Sequence, residues 1–288
     1  MFLTEGDVVA GRFRIKKRVA RGGMGMIFDA TQVNLDRRVA LKVILPTHFD
    51  NPESTLRFKR EIEIAQALSH KNIVEIYDYG DERGLHWVAM EFLEGADLSG
   101  YLLANGPLSI GKLLDFTRQI LNGLAVAHRI GVIHRDIKAS NIFVEQMASG
   151  EEIVKILDFG IAKSLDDEAN LTGTGNICGS TAYMAPETLL FGEVSLAVDI
   201  YALGLLMVEM MVGKRAISGS SIGQHVLAQS HGIIELPAPF GGTDVEAVIL
   251  KACAKQPEDR FPDAKAMLEA VASLRPDDVQ ARVETHRA

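Results

Sequence analysis

Two short runs hold side chains that could do chemistry together. One is His134-Arg135-Asp136-Ile137-Lys138-Ala139-Ser140-Asn141; the other, after a strand-like stretch over 154–157, is Asp158-Phe159-Gly160. If that stretch is a strand, Asp136, Asn141 and Asp158 stand on two neighbouring loops. Mg²⁺ takes hard oxygen ligands and is held by a few protein oxygens together with phosphates. Asn141 and Asp158 are the right types for that. Asp136 can accept or orient the proton of an attacking hydroxyl, and Lys138 can offset charge on a phosphoryl group in transit. The chemistry such a set performs is phosphoryl transfer.

Upstream, Ala20-Arg21-Gly22-Gly23-Met24-Gly25-Met26-Ile27 puts three glycines between two strand-like segments. A glycine-rich hairpin lets backbone N–H groups approach phosphate oxygens with no side chain in the way, although a plain glycine turn reads the same. A dinucleotide fingerprint needs a helix directly after the glycines, and here a strand follows. Val39-Ala40-Leu41-Lys42 then ends an apolar strand on a lysine, which is costly to bury without a partner. Glu61 on the next helix is a candidate partner, and the pair would hold the α and β phosphates of a nucleotide.

The elements that must position these groups are legible from periodicity. Phe13, Ile15 and Val19 alternate with Arg14, Lys16 and Arg18, which predicts a half-buried strand with Val19 on its buried face. Strands are also expected over 26–32 and 39–45, joined by Asn34-Leu35-Asp36, and over 73–79 and 85–92. Phe58, Ile62, Ala65 and Leu68 have helical spacing, so 54–68 is an amphipathic helix. Beyond Gly95 helices take over, at 110–130, 195–212, 245–253 and 263–274. The stretch 195–212 is apolar nearly all round and is expected as a buried central helix. Strands first and helices afterwards make an α+β arrangement in two lobes.

Composition bounds the alternatives. The chain has 288 residues, 47% apolar and 24% charged, which suits a globular domain of two lobes and excludes a disordered or collagen-like chain. Cys178 and Cys253 are the two cysteines, too few for a disulfide framework and too far apart for a zinc site. Residues 1–90 carry a net charge of +2 and residues 91–288 a net charge of −10, which argues against nucleic acid as a partner. The longest apolar stretch, 200–208, stops at Glu209, well short of the ~18 residues of a membrane span. The start lacks the basic and apolar regions of a signal peptide. A reduced, cytoplasmic setting is the expectation, with any membrane anchor outside this chain.

With Ala185-Pro186-Glu187 added, the ordered set of glycine loop, strand lysine, catalytic loop and Asp-Phe-Gly resembles the eukaryotic-type protein kinase family. Lys138 and the run Gly179-Ser180-Thr181-Ala182-Tyr183-Met184 resemble its serine/threonine branch. Gly22-Gly23-Met24-Gly25, Arg57-Phe58-Lys59-Arg60-Glu61 and Ser69-His70-Lys71-Asn72-Ile73-Val74 resemble its bacterial members. The resemblance implies a bilobal protein kinase fold. A small antiparallel β-sheet lobe with one main helix would occupy 12–92, and a larger, mainly α-helical lobe 93–273. Residues 1–11 would be an N-terminal extension and 274–288 a C-terminal tail.

The resemblance also implies function. ATP with Mg²⁺ or Mn²⁺ would sit in the cleft between the lobes, and the γ-phosphate would pass to Ser or Thr hydroxyls of protein substrates. Lys42, Glu61, Asp136 and Lys138 would be catalytic, and Asn141 and Asp158 would hold metal. Ala20, Gly22 and Gly25 would cover the phosphates, and Met90 would be the gatekeeper. Glu91 to Leu93 would form the hinge whose backbone reads adenine. Val19, Ile27, Ala40 and Phe143 would wall the pocket. Asp199 would hold the catalytic loop's backbone, and Arg260 would pair with Glu187. A phosphate on Thr172 or Thr174 could pair with Arg135 and order the activation segment. Pairing of two copies through the small lobe is a further implication.

Ala20, Ala139 and Ser180 depart from the family's commoner glycine, proline and threonine. Ala20 would stiffen the loop; the other two substitutions should matter little. A pseudokinase scaffold and a small-molecule kinase are the rival readings. Against the first stands the complete set of Lys42, Glu61, Asp136, Asn141 and Asp158. Against the second stand Lys138, the 179–184 run and Ala185-Pro186-Glu187. Three decoys are set aside: the hydrolase-like Gly219-Ser220-Ser221-Ile222-Gly223, Cys178 as a redox switch, and His225 and His231, read as surface histidines.

Overall fold

Apolar residues in alternation or in short β-branched runs build six strands before residue 92. The computed structural model describes residues 3–22, 25–44, 52–82, 84–159, 181–219, 221–232, 234, 236 and 240–275. The strands are β1 (Val8–Val9), β2 (Phe13–Arg21), β3 (Gly25–Gln32), β4 (Arg37–Ile44), β5 (Ile76–Glu82) and β6 (Leu85–Glu91). They form one antiparallel sheet in the order β1-β2-β3-β4-β6-β5. Phe13, Ile15, Phe28, Ala30, Val39, Leu41, Val43, Trp87 and Ala89 make its core. Phe13 and Trp87 meet with ring centroids 5.0 Å apart.

Among the described residues, one helix belongs to this unit, α1 (Pro52–Gln66). It buries Phe58, Ile62 and Ala65, as its 3.6-residue spacing requires. Polar ties hold it to β5: Lys59 to Asp81 at 2.7 Å and the Tyr79 hydroxyl to Glu63 at 2.8 Å.

The alternation expected through Val19 fails partway along β2. Phe13 and Ile15 are buried, but Val19 is 52% exposed. Register shifts between Ile15 and Lys17 and between Arg18 and Ala20 insert extra residues and turn the distal half of the strand. The strand expected from residue 73 begins at Ile76. Ile73 instead closes a turn onto the His70 carbonyl and is buried there.

The second unit takes Gly95–Leu157 and the described residues from Thr181 onward, while Asp158 and Phe159 belong with the first. It has a small sheet, β7 (Gly95–Asp97), β8 (Ile142–Gln146) and β9 (Glu152–Ile156), in the order β7-β8-β9. Its helices are α2 (Leu98–Asn105), α3 (Ile110–Arg129), α4 (Pro186–Phe191), α5 (Ala197–Val212), α6 (Ile222–His231), α7 (Asp244–Ala252) and α8 (Ala264–Ala272). Side-chain caps start several of them: Asp97 for α2, Ser109 for α3, Ser221 for α6, Thr243 for α7 and Asp263 for α8.

Helix α5 is the central helix that its all-round apolarity announces, with every residue from Ala197 to Met211 buried. Gly204 lets α7 come close, since a Cβ there would lie 2.5 Å from Cys253 Sγ. Helix α3 packs against α8 and α5. The α+β expectation of a small sheet lobe with one main helix and a larger helical lobe is met. Short elements such as α2, α4 and α6 were absent from the periodicity reading. Among the described residues, no helix is long and apolar enough to cross a membrane.

Candidate active site

Strand β4 carries Lys42 opposite Ile27 on β3 and Val88 on β6, and leaves it only 7% exposed. A buried ammonium needs a counter-charge. Its Nζ meets Asp158 Oδ2 at 2.7 Å. Glu61, the partner expected from sequence, lies half-buried on α1. Asp158 has φ +53°, a left-handed conformation uncommon for a non-glycine residue. The next residue, Phe159, is buried. It lines a small apolar cavity with Ala65, Ile73, Val74, Ile76, Met90 and Asp158.

The adenine-side candidates of this unit lie along these strands or, for Leu93, just beyond the end of β6. Ala40 pairs with Asp29 and Met90, and Met90 pairs with Ile76. Glu91 closes the β6 ladder: its N–H donates to the Glu75 carbonyl, and its Oε1 accepts from Glu75 N at 2.8 Å. Ile27 and Leu93 are half-buried.

Ala20 pairs with Ile27 and is exposed, and Gly22 N–H donates to Gly25 O at 2.9 Å. Gly25 has a structural reason beyond any phosphate, because a Cβ there would drive into the Val43 carbonyl of β4. A Cβ on Gly22 meets open space. Gly25→Ala should therefore cost about 1–3 kcal/mol by overpacking, while Gly22→Ala stays within about 0.5 kcal/mol. Urea denaturation of both variants checks this; equal losses would refute the distinction.

In the second unit the loop after α3 is held from beneath by Asp199 on α5. Asp199 Oδ2 accepts from His134 N and Oδ1 from Arg135 N, both at 2.8 Å. Arg135 has φ +66°, so two carboxylate bonds brace a left-handed residue. His128 Nε2 lies 3.0 Å from Asp199 Oδ2, and its Nδ1 accepts from Ala264 N. Burial pushes the Asp199 carboxyl up, but the His128 hydrogen bond and neighbouring donors outweigh it and hold it below the usual range. His134 Nε2 faces the Leu157 carbonyl at 2.7 Å, so the proton sits on Nε2 and Nδ1 accepts from Asp136 N.

Three side chains of this loop converge. Asp136 Oδ2 receives Lys138 Nζ at 2.7 Å and Asn141 Nδ2 at 2.8 Å. Asn141 Nδ2 also donates to the Asp136 carbonyl at 2.9 Å. Both amide hydrogens of Asn141 are thus committed to Asp136, which leaves its amide oxygen as a hard ligand. Asp136 Oδ1 takes part in neither of these two side-chain contacts. The Asn141 amide oxygen and the Asp158 carboxylate are each of the hard oxygen type that Mg²⁺ takes. Leu157 N–H donates to Asn141 O, tying the end of the β9 segment to the loop. Phe143 on β8 is half-buried between Asp97 and Lys155.

Sequence reading passed over His128 and misplaced His225. His128 continues the buried stripe of Leu121 and Leu124 on α3, and that spacing was its only signal. His225 is 2% exposed, and its Nδ1 meets Thr181 Oγ1 at 2.7 Å. It is not a surface histidine, and burial holds its imidazole below the usual range. His231 is exposed. The Arg260–Glu187 pair is present and bidentate, at 2.7 and 2.8 Å. Ser221 caps α6. Thr172, Thr174, Cys178, Ser180 and Ser220 lie outside the described residues.

Comparison with known proteins agrees with this geometry. The family described as Protein kinase domain matches residues 13–280. The serine/threonine-protein kinase PrkC of Bacillus subtilis is 36% identical over 91% of this chain and 40% of its own length. The serine/threonine-protein kinase pkn3 of Myxococcus xanthus is 37% identical, over 92% of this chain and 51% of its own. PknA of Mycobacterium tuberculosis is 35% identical, over 94% and 63%. The chain thus spans less than two thirds of the length of these curated relatives. The crystal structure of the Mycobacterium tuberculosis PknI kinase domain superposes with a TM-score of 0.74 at 25% identity, covering 94% of this chain and 99% of that one. By pattern, fold and relatives, this chain belongs to the protein kinase domain family.

Proposed function

We propose that the chain is an ATP-dependent serine/threonine protein kinase domain that transfers the γ-phosphate of ATP to a Ser or Thr hydroxyl of a protein. The observation that carries this reading is the convergence of Lys138 and Asn141 on the Asp136 carboxylate. Asp136 orients the substrate hydroxyl and takes its proton as the new O–P bond forms and the bond to the β-phosphate oxygen breaks. Lys138 stabilises charge on the phosphoryl group, and Lys42 binds the α and β phosphates. Asn141 and Asp158 would hold Mg²⁺ or Mn²⁺, which would neutralise phosphate charge. Glu61 would pair with Lys42 and hold it toward those phosphates. The net charge of −10 over residues 91–288 favours basic peptides.

Activation is by autophosphorylation of Thr172 or Thr174. Arg135 is exposed beside Asp136, and a phosphate bearing about −1.5 to −2 charges is the partner its guanidinium suits. The test is incubation of the purified chain with labelled ATP and Mg²⁺, phosphosite mapping, and Asp136→Asn as control. Transfer should fall by about 10²–10⁴-fold in that variant while ATP still binds. Label on Thr172 or Thr174 that the variant lacks supports self-activation. Nucleotide binding without transfer by the unmodified chain favours a scaffold instead.

A further inference from the structure

Arg38, on β4 just ahead of the Val39-Ala40-Leu41-Lys42 run, makes three engagements at once. Its Nε and NH2 grip the Asp29 carboxylate at 2.9–3.3 Å, and Asp29 is only 3% exposed. Its NH1 reaches Glu94 Oε1 at 2.8 Å. Its guanidinium carbon lies 3.7 Å from the centre of the Phe92 ring. A planar fork with two donor edges and a stackable face suits all three tasks, and a lysine ammonium does not.

The placement of those partners matters. The β4–β6 ladder ends at the Val39–Glu91 pair. Phe92 and Glu94 follow immediately and flank Leu93. Asp29 is anchored on β3, in register with Ala40. The guanidinium therefore ties the chain beyond the last ladder bond back to the middle of the sheet. Nucleotide-base recognition through backbone groups needs those groups held to within about 0.5 Å.

We propose that Arg38 is a positioning residue for base recognition: gripped by the buried Asp29, it holds Phe92 and Glu94 and so sets the backbone of Leu93 that reads the base. The proposal rests on the kinase reading above. Arg38 does not touch the nucleotide in this account; it acts through the hinge. The competing explanation is that Arg38 merely neutralises Asp29, which would make it a stability residue alone.

Direct binding of ADP and GDP, together with melting temperature, separates the two. Arg38→Lys keeps a cation beside Asp29 and loses the fork and the stack. Phe92→Leu leaves the Asp29–Arg38 pair untouched and removes the stacked ring. In both variants ADP affinity should weaken about tenfold, the loss of one well-made hydrogen bond, and the preference for ADP over GDP should narrow. The KM for ATP should rise with kcat kept within about twofold, because uniform binding is lost. Unchanged ADP affinity and preference in Arg38→Lys would overturn the proposal. So would a lower melting temperature with the ADP-to-GDP ratio intact. If the unmodified chain binds neither nucleotide, the kinase reading itself fails and takes the proposal with it.

Discussion

Arg260→Ala is expected to lose about 3–5 kcal/mol of folding stability, the usual cost of stranding one member of a buried ion pair. Arg260 is 3% exposed, and the structure gives all five of its N–H donors a partner. Two go to the Glu187 oxygens, and the others to the carbonyls of Ala254, Ala197 and Lys255. Its guanidinium also lies over the Tyr201 ring of α5. Truncation leaves the Glu187 carboxylate and three carbonyls without their donor. Domains are stable by only about 5–15 kcal/mol, so this is a large fraction of the total. Urea denaturation measures it. The double replacement Glu187→Leu with Arg260→Met should recover the part of the loss due to the stranded Glu187 carboxylate, since a buried pair can be exchanged for apolar packing at little cost. A single-variant loss below about 1 kcal/mol would show the pair to be solvated, contrary to the burial.

Asp199→Asn should leave a folded protein whose kcat falls about 10²-fold with KM for ATP nearly unchanged. The carboxylate presents two acceptor oxygens to three donors: His134 N, Arg135 N and His128 Nε2. An amide has one acceptor, and its NH₂ would face a donor. Arg135, at φ +66°, is the residue those bonds brace, and Asp136 follows it directly. Loss of the brace therefore reaches the Asp136 carboxylate through one peptide unit. Steady-state kinetics checks the split, and a kcat within about threefold of the parent would sink the bracing role. The pH dependence has a definite sign. The Asp199 carboxyl is held below its ordinary value. The stability it contributes is therefore fully present above pH about 4 and is lost as pH falls through the lower folded value. Asp199→Asn should lack that part of the acid sensitivity, which melting temperatures at neutral and strongly acidic pH would read.

Much of this site was legible because phosphoryl transfer needs particular side-chain types in short runs. Asp136, Lys138 and Asn141 lie within one loop, so chain connectivity alone nearly brings them together. The long elements were equally accessible. Helix α3 shows its buried stripe in Leu113, Leu114, Ile120, Leu121 and Leu124, and α5 is apolar on every side. Where pairing perturbs the period, the reading failed. Val19 belongs on the buried face by strict alternation, but two register shifts in β2 put it in solvent. His225 looked like an exposed polar residue, but Thr181, far from it in the chain, covers it and bonds its ring.

Sequence by itself determined the family and the division into a sheet-rich and a helix-rich part, because each is written in local residue types and periods. Only the tertiary structure decided which charge meets which. Lys42 meets Asp158, a partner that sequence reading had not offered it. Gly25, expected from sequence to cover phosphates, also has the Val43 carbonyl where a Cβ would stand. Arg38 carried no signal until β3, β4 and the segment after β6 placed Asp29, Glu94 and Phe92 around it. The physical reason is common to all three. Ion pairs and close contacts join residues distant in the chain, and their geometry depends on strand register and helix packing that no local pattern encodes.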